Sequence, residues 1–196
     1  MKTKLTRIAL LLAAIPLTPL AMAQTKEETK KAVVKEETVV VKEVTVIPAP
    51  GTLAAVINDS VTFSILAKAL KAADLEATLG DLKGSYTIFA PTDEAFMKLK
   101  EGTLDKLLLP ENKEKLRSLL MYHVIPGQFI SSDLKNGEIT TANGEKVEID
   151  IKGSTVEVED SKVSKADLIV KNGVMHSVGK VIVPKSLDGF AGLDED

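Results

Sequence analysis

Cysteine is absent from all 196 residues. That absence removes disulfide staples, cysteine nucleophiles and thiolate metal sites together. If the chain is exported, its apolar core must hold the fold without covalent help. Tryptophan is also absent, and two tyrosines and five phenylalanines make up the aromatic content. Ligand pockets favour aromatic walls, so this composition weighs against a small-molecule carrier. Histidine occurs twice, as His123 and His176. Neither has a carboxylate at a local ligand spacing, so no metal or other cofactor is expected. The phosphate-cradling patterns Gly-x-Gly-x-x-Gly and Gly-x-x-x-x-Gly-Lys do not occur. No Gly-x-Ser-x-Gly elbow accompanies any serine. There is no basic cluster beyond the N-terminal region, and the formal net charge is −3. That argues against nucleic acid and against docking on anionic lipid.

The first residues, "MKTKLTRIALLLAAIPLTPLAMAQ", carry a positive start in Lys2, Lys4 and Arg7, an apolar run from Ile8 to Leu20, and the small-x-small triplet Ala21-Met22-Ala23. This is the pattern of a secretory signal peptide, and it predicts cleavage after Ala23. The run is too short to span a bilayer comfortably, which takes roughly 20 residues. Pro16 and Pro19 interrupt it as a helix. No other long apolar run follows, so the expectation is an exported chain, periplasmic or extracellular, without a transmembrane anchor. Removing 1–23 takes three positive charges from a net −3, leaving −6 on the remaining residues.

Residues 24–50, "QTKEETKKAVVKEETVVVKEVTVIPAP", contain KEET twice, five lysines and five glutamates, and end on Pro48-Ala49-Pro50. Alternating charge reads as a solvated linker. Val39–Val41, Val44, Val46 and Ile47 also favour strand, which would let the segment add to a sheet edge and drive self-association.

From Gly51 the texture becomes that of a folded domain. "TLAAVINDS" reads as a short helix capped by Thr52. In "SVTFSILAKALKAADL", Val61, Ile65, Leu66, Ala69, Leu70 and Ala73 recur at helical spacing, with Ser60 as the expected cap. "GSYTIFAPTDEAF" gives a strand from Tyr86 to Phe89, ended by Pro91. It then gives a helix with Thr92 as cap and Asp93 and Glu94 in its first turn, where carboxylates suit the positive helix end. "TLDKLLL" is a short helix broken by Pro110. "ENKEKLRSLLMYH" is helical, with Leu116, Leu119 and Leu120 on one side. After residue 124 the apolar period changes to two. "KVEIDI" and "TVEVED" alternate, Asn143-Gly144 and Asn172-Gly173 are hairpin signals, and strands fit 168–171, 174–178 and 181–183. Helices first and a strand meander second predict an α+β domain, with helices covering part of an antiparallel sheet or sandwich.

The stretch "LLMYHVIPGQ", 119–128, places Tyr122 and His123 side by side in apolar sequence. Catalysis, metal binding and structural hydrogen bonding are the three readings. With no partner groups at catalytic or ligand spacing, the structural one is expected. A buried imidazole gives and takes one hydrogen bond each. The same holds for His176. Thr92 and Asp93 could contact a ligand beside this pair, but capping explains both residue types.

"YTIFAPTDEAFMKL" (86–99), "LLMYHVIPGQ" (119–128) and "NGVMHSVGKVIVP" (172–184) closely resemble, in order, the first box, the Tyr-His box and the second box of the fasciclin domain. The lead-in "TLAAVINDSVTFSILAKALKAADL" resembles that family's opening helices. The resemblance covers Gly51 to Lys185. It implies a β-sandwich wedge with helices packed over it, secreted or surface-attached, without catalytic machinery, and used for adhesion. It places Tyr122 and His123 in the interior. The Asp-Ile pair that animal members carry before the second box is matched by Asp167-Leu168, which departs at the second position. These two are therefore the candidate binding residues by resemblance. The resulting organisation is a signal peptide at 1–23, a charged Val-rich linker at 24–50, a fasciclin domain at 51–185 and an acidic tail at 186–196.

The expected function is non-enzymatic adhesion to a cell-surface or matrix protein or a polysaccharide. The alternatives are a periplasmic small-ligand carrier, or a structural envelope protein that self-associates through the linker.

Overall fold

The computed structural model describes residues 48–190. The signal peptide, nearly all of the linker and the last six residues of the tail lie outside the described residues.

Among the described residues, six short α-helices come in two groups. α1 (Leu53–Asn58), α2 (Ser64–Ala72) and α3 (Glu76–Gly80) precede the first strand, β1 (Tyr86–Pro91). α4 (Asp93–Met97), α5 (Thr103–Leu107) and α6 (Lys113–Tyr122) follow it. Helices this short are marginal alone and are held by what they bury. Leu53 and Ile57, Leu66 and Leu70, Leu79, Phe96, Leu107, and Leu116, Leu119 and Leu120 meet in one apolar core with Ile88 and Met175.

The strands are β2 (Val124–Pro126), β3 (Gly137–Thr140), β4 (Lys146–Lys152), β5 (Thr155–Val158), β6 (Ser161–Val170) and β7 (Gly173–Val178). They form one seven-stranded sheet in the order β2-β1-β7-β6-β5-β4-β3. β1 and β7 run parallel, from Tyr86 opposite Gly173 to Pro91 opposite Val178, and every other pairing is antiparallel. β6 belongs to both halves. Ser161 and Lys162 pair with β5, and Val163 onward pairs with β7. The Ala142 N–H just past β3 donates to the Val124 carbonyl at 2.7 Å, bringing the two ends of the sheet together into a near-barrel. Inside the curl lies a second core of Phe89, Tyr122, Ile125, Leu134, Val147, Ile149, Val158, Val178 and Ile182. β1 and β7 separate the two cores. Ile88 faces the helices and Phe89 the curl, which is why these strands are almost wholly buried on both faces. The expected α+β class and helix-covered β architecture are the ones observed, but the sheet is mixed rather than antiparallel, because β1 and β7 pair in parallel.

Two local expectations need correction. α2 starts at Ser64, not near Val61, and Val61 is 92% exposed. Ser60 does not cap it, because the Ser60 hydroxyl accepts from the Thr62 N–H instead. The cap comes from Asp93 at the start of α4, whose carboxylate accepts from the Ile65 N–H at 2.8 Å and from the Ser64 hydroxyl at 2.6 Å. Truncating it in Asp93→Ala leaves the Ile65 donor without that partner and should cost about 1–2 kcal/mol by urea denaturation, with Asp93→Asn costing less. Equal losses for Ala and Asn would refute the cross-helix cap.

The second correction concerns 181–183. This stretch is not a ladder strand, because the Ile182 N–H is taken by a side chain, the His123 ring, at 3.0 Å. Packing also continues past Lys185. Leu187 is buried in a 3-10 turn (Lys185–Leu187), and the Ser186 hydroxyl donates to Glu145 at 2.6 Å.

Candidate functional site

Thr92 caps α4, its hydroxyl accepting from the Ala95 N–H at 3.3 Å. Asp93, its neighbour, is occupied by α2 as described. Tyr122 and His123 are adjacent in sequence but serve different partners. The Tyr122 phenol enters the curled sheet, 2.9 Å from the Lys146 carbonyl and 3.0 Å from Glu159 Oε1. The same carboxylate oxygen accepts from the Glu148 N–H, so it ties the phenol to β4. Burial first, then the Glu159 charge, pushes the phenol far above its ordinary range. It stays protonated and supplies neither base nor nucleophile.

His123 caps the end of α6 and is 1% exposed. Its Nδ1 lies 2.8 Å from the Leu119 carbonyl, and its Nε2 accepts from the Ile182 N–H. An acceptor at Nε2 fixes the tautomer: the proton is on Nδ1, donated to Leu119. Burial lowers the ring's pKa from 6.5 to about 4, so it is neutral at pH 7.

His176 lies on β7, stacked on Phe89 with ring centroids 5.5 Å apart. Its Nε2 faces the Phe129 carbonyl at 3.0 Å, and its Nδ1 accepts from the Asp167 N–H at 3.2 Å. Asp167 sits where β6 loses register with β7, between Lys165 and Leu168. Its φ is +62°, a left-handed conformation uncommon outside glycine. Its carboxylate accepts from both the N–H and the hydroxyl of Ser131, each at 2.6 Å. That charge-assisted pair holds the Asp167 carboxyl below its usual range.

Serine, aspartate and histidine thus meet at this bulge, yet they do not form a hydrolytic triad. The Ser131 hydroxyl points to the carboxylate rather than to imidazole. Both nitrogens of His176 are committed to main-chain groups. The imidazole is thus not placed to take the hydroxyl proton, and the carboxylate that faces it is held below its usual pKa range, a weak base. Among the described residues no group of three or more His, Asp or Glu is placed to hold a metal, and no helix is long and apolar enough to cross a membrane.

What the bulge does present is apolar. Leu168 is 47% exposed and Ile169 67% exposed, consecutive in β6 just after Asp167. Tyr122 and His123 direct their hydrogen bonds elsewhere in the fold, and buried His176 reaches this surface only through the Asp167 N–H, whereas Asp167 and Leu168 lie on it. Sequence reading missed Ser131 and Ile169. Ile169 carries no local signal, since exposed and buried isoleucines look alike in a strand pattern. Ser131 is 36 positions from the carboxylate it binds.

The family model for the fasciclin domain matches residues 61–184, more than half of the chain. The chain belongs to the fasciclin domain family. Its three sequence boxes fall on β1 with α4, on α6 with β2, and on β7 with the stretch after it. This fasciclin-domain chain is 38% identical over 171 residues to Protein sll1483 of Synechocystis sp., a match covering 87% of this chain and 90% of that protein. It is 36% identical over 138 residues to the transforming growth factor-beta-induced protein ig-h3 of Sus scrofa. That match covers 70% of this chain but 20% of ig-h3. Among solved structures, a FAS1 domain pair from the insect cell adhesion molecule fasciclin I superposes with a TM-score of 0.62 at 15% identity. The superposition covers 71% of this chain and 53% of that one. At that identity the likeness is one of fold.

Proposed function

We propose that this fasciclin-domain protein is an exported, non-enzymatic binding protein, and that it contacts a cell-surface or matrix protein through the β6 bulge at Asp167, Leu168 and Ile169. The observation that carries the reading is a contrast. Thr92, Asp93, Tyr122, His123 and His176 all spend polar atoms on other groups of the fold, whereas Leu168 and Ile169, consecutive in β6 just after the bulge, each expose an aliphatic side chain, one on either face of the strand. Exposed apolar groups on a pinned backbone are a feature of interaction surfaces. Exposed aliphatic side chains without an aromatic ring suit a protein partner better than a polysaccharide, whose sugars stack on aromatic faces. The fold shared with an insect cell adhesion molecule supports adhesion as the use of that surface.

The test is binding of the chain from Gln24 onward to cell-envelope fractions and to a panel of matrix proteins. The double substitution Leu168→Ser, Ile169→Ser should weaken saturable binding about tenfold or more. Leu82→Ser serves as control. It removes another exposed aliphatic side chain, 54% accessible, from a different loop, and should leave affinity unchanged. Equal affinity of the double variant and the parent, or no saturable binding by the parent, would defeat the proposal.

A further inference from the structure

The β6 bulge is closed by a circuit of four hydrogen bonds that runs through one ionisable ring. From β7, His176 Nε2 holds the Phe129 carbonyl and Nδ1 accepts from the Asp167 N–H. From β6, the Asp167 carboxylate returns to the same loop through the N–H and hydroxyl of Ser131. The first part of that loop is fastened separately. The Thr87 hydroxyl on β1 donates to the Gly127 carbonyl and accepts from the Phe129 N–H, both at 2.9 Å. The loop's hold on β6 therefore depends on His176 and Asp167.

The ring can occupy this position only when neutral. Nδ1 must offer a lone pair to the Asp167 N–H. A second ring proton would set two donors against each other with no acceptor between them. The strain would fall on the residue least able to bear it, Asp167, already in a left-handed conformation. Turning the Asp167 peptide away relieves the clash, but it also turns the carboxylate that holds Ser131 and moves the adjoining Leu168 and Ile169.

We propose that protonation of His176 opens the clasp between the Phe129–Ser131 loop and the β6 bulge, so that acid regulates how Leu168 and Ile169 are presented. The groups facing the ring are few. β1 contributes the Phe89 ring, the loop contributes the Phe129 carbonyl, and β6 contributes Asp167, the titratable group whose charge acts on it. Burial disfavours the charged ring, while the Phe129 carbonyl and the Asp167 carboxylate favour it. Burial prevails, so the clasp is closed at neutral pH and opens below the ordinary histidine range. The consequence for binding rests on the reading of the bulge as the contact surface, but the opening itself is a property of the free protein.

The opening is measured without a partner, by NMR pH titration of the chain from Gln24 onward. The ring signals of His176 and the backbone amides of Ser131 and Asp167 are followed together, with far-ultraviolet circular dichroism recording global folding. The expected result is a common midpoint for ring and amides below pH 6.5. The Ser131 and Asp167 amides should lose about tenfold or more of their exchange protection while the chain remains folded. His176→Gln, whose amide can both donate to Phe129 and accept from Asp167 but cannot titrate, should abolish the transition. Amides that stay flat while the ring titrates would overturn the proposal. So would a transition that coincides with global unfolding, or one that survives in folded His176→Gln. If the variant does not fold, the parent titration decides alone. Acid-independent binding alongside a titrating clasp would count against the bulge as the contact surface and leave the switch standing.

Discussion

Gly173→Ala should be the most damaging single-methyl change in the domain, costing about 4 kcal/mol or more. A Cβ built on Gly173 overlaps the Tyr86 carbonyl oxygen of the neighbouring parallel strand and comes within 3.0 Å of Leu53 Cδ1. The obstacle is backbone, so no rotamer change relieves it, and β1 must shift relative to β7 or the strand must bend. Gly173 is also next to Asn172, which is fully buried. The Asn172 Oδ1 accepts from the Leu53 N–H at 2.8 Å, and its Nδ2 donates to the Leu79 carbonyl at 2.8 Å and the Asp81 carbonyl at 3.1 Å. A displaced strand start therefore disturbs α1 and α3 as well. The comparison is Gly144→Ala in the β3–β4 connection, where φ is +92° but nothing lies within 4 Å of the added carbon. Only backbone strain applies there, about 1 kcal/mol. Urea midpoints of the two variants provide the measurement. A loss at Gly173 no larger than at Gly144 would refute the close-approach argument.

This pair of glycines shows how far sequence reasoning reached. Asn143-Gly144 and Asn172-Gly173 are the same dipeptide and predict the same turn. Gly144 does take positive φ in a connection between strands. At the second site the hairpin exists, but Lys171 and Asn172 form its turn, and Gly173 is the first residue of β7. What selects glycine there is a strand 87 positions earlier in the chain (Tyr86), and no local pattern records that. The same division runs through the fold. Thr52 and Thr92 were legible as caps because capping is a contact between residues three apart. The cap of α2 was not, because Asp93 is 28 positions from Ile65. The alternation in "KVEIDI" shows as buried Val147 and Ile149. Val181 to Val183 has the composition of a strand but gives a key N–H to a ring instead of a ladder. At the bulge, Asp167 and Leu168 were found by resemblance, and Ile169 became visible only once burial was known. Motifs carry the residues of the interior. The surface, whose chemistry any partner would see, has to be read from exposure.

His123 should make the domain acid-labile well above the pH at which carboxylates titrate. Its folded pKa is depressed from 6.5 to about 4 by complete burial. An unfolded chain therefore takes up a proton near pH 6.5 that the folded chain refuses. Stability from this group is fully present above pH 6.5 and is lost progressively as pH falls to about 4. A shift of that size corresponds to about 3 kcal/mol, a large part of the 5–15 kcal/mol that roughly bounds a domain's stability. His176, also depressed by burial, adds loss of the same sign. His123→Gln separates the two effects. Its amide can donate to the Leu119 carbonyl and accept from the Ile182 N–H, but it cannot titrate, so its stability should fall less between pH 7 and pH 5 than that of the parent. His123→Ala should instead be destabilised at both pH values, by about 3–5 kcal/mol, because a buried N–H and a cavity are left behind. Urea denaturation of all three proteins at the two pH values is the measurement. A parent slope equal to that of His123→Gln would show that His123 is not the group that titrates. An alanine variant as stable as the parent would show that the ring does not tie α6 to the chain segment after β7.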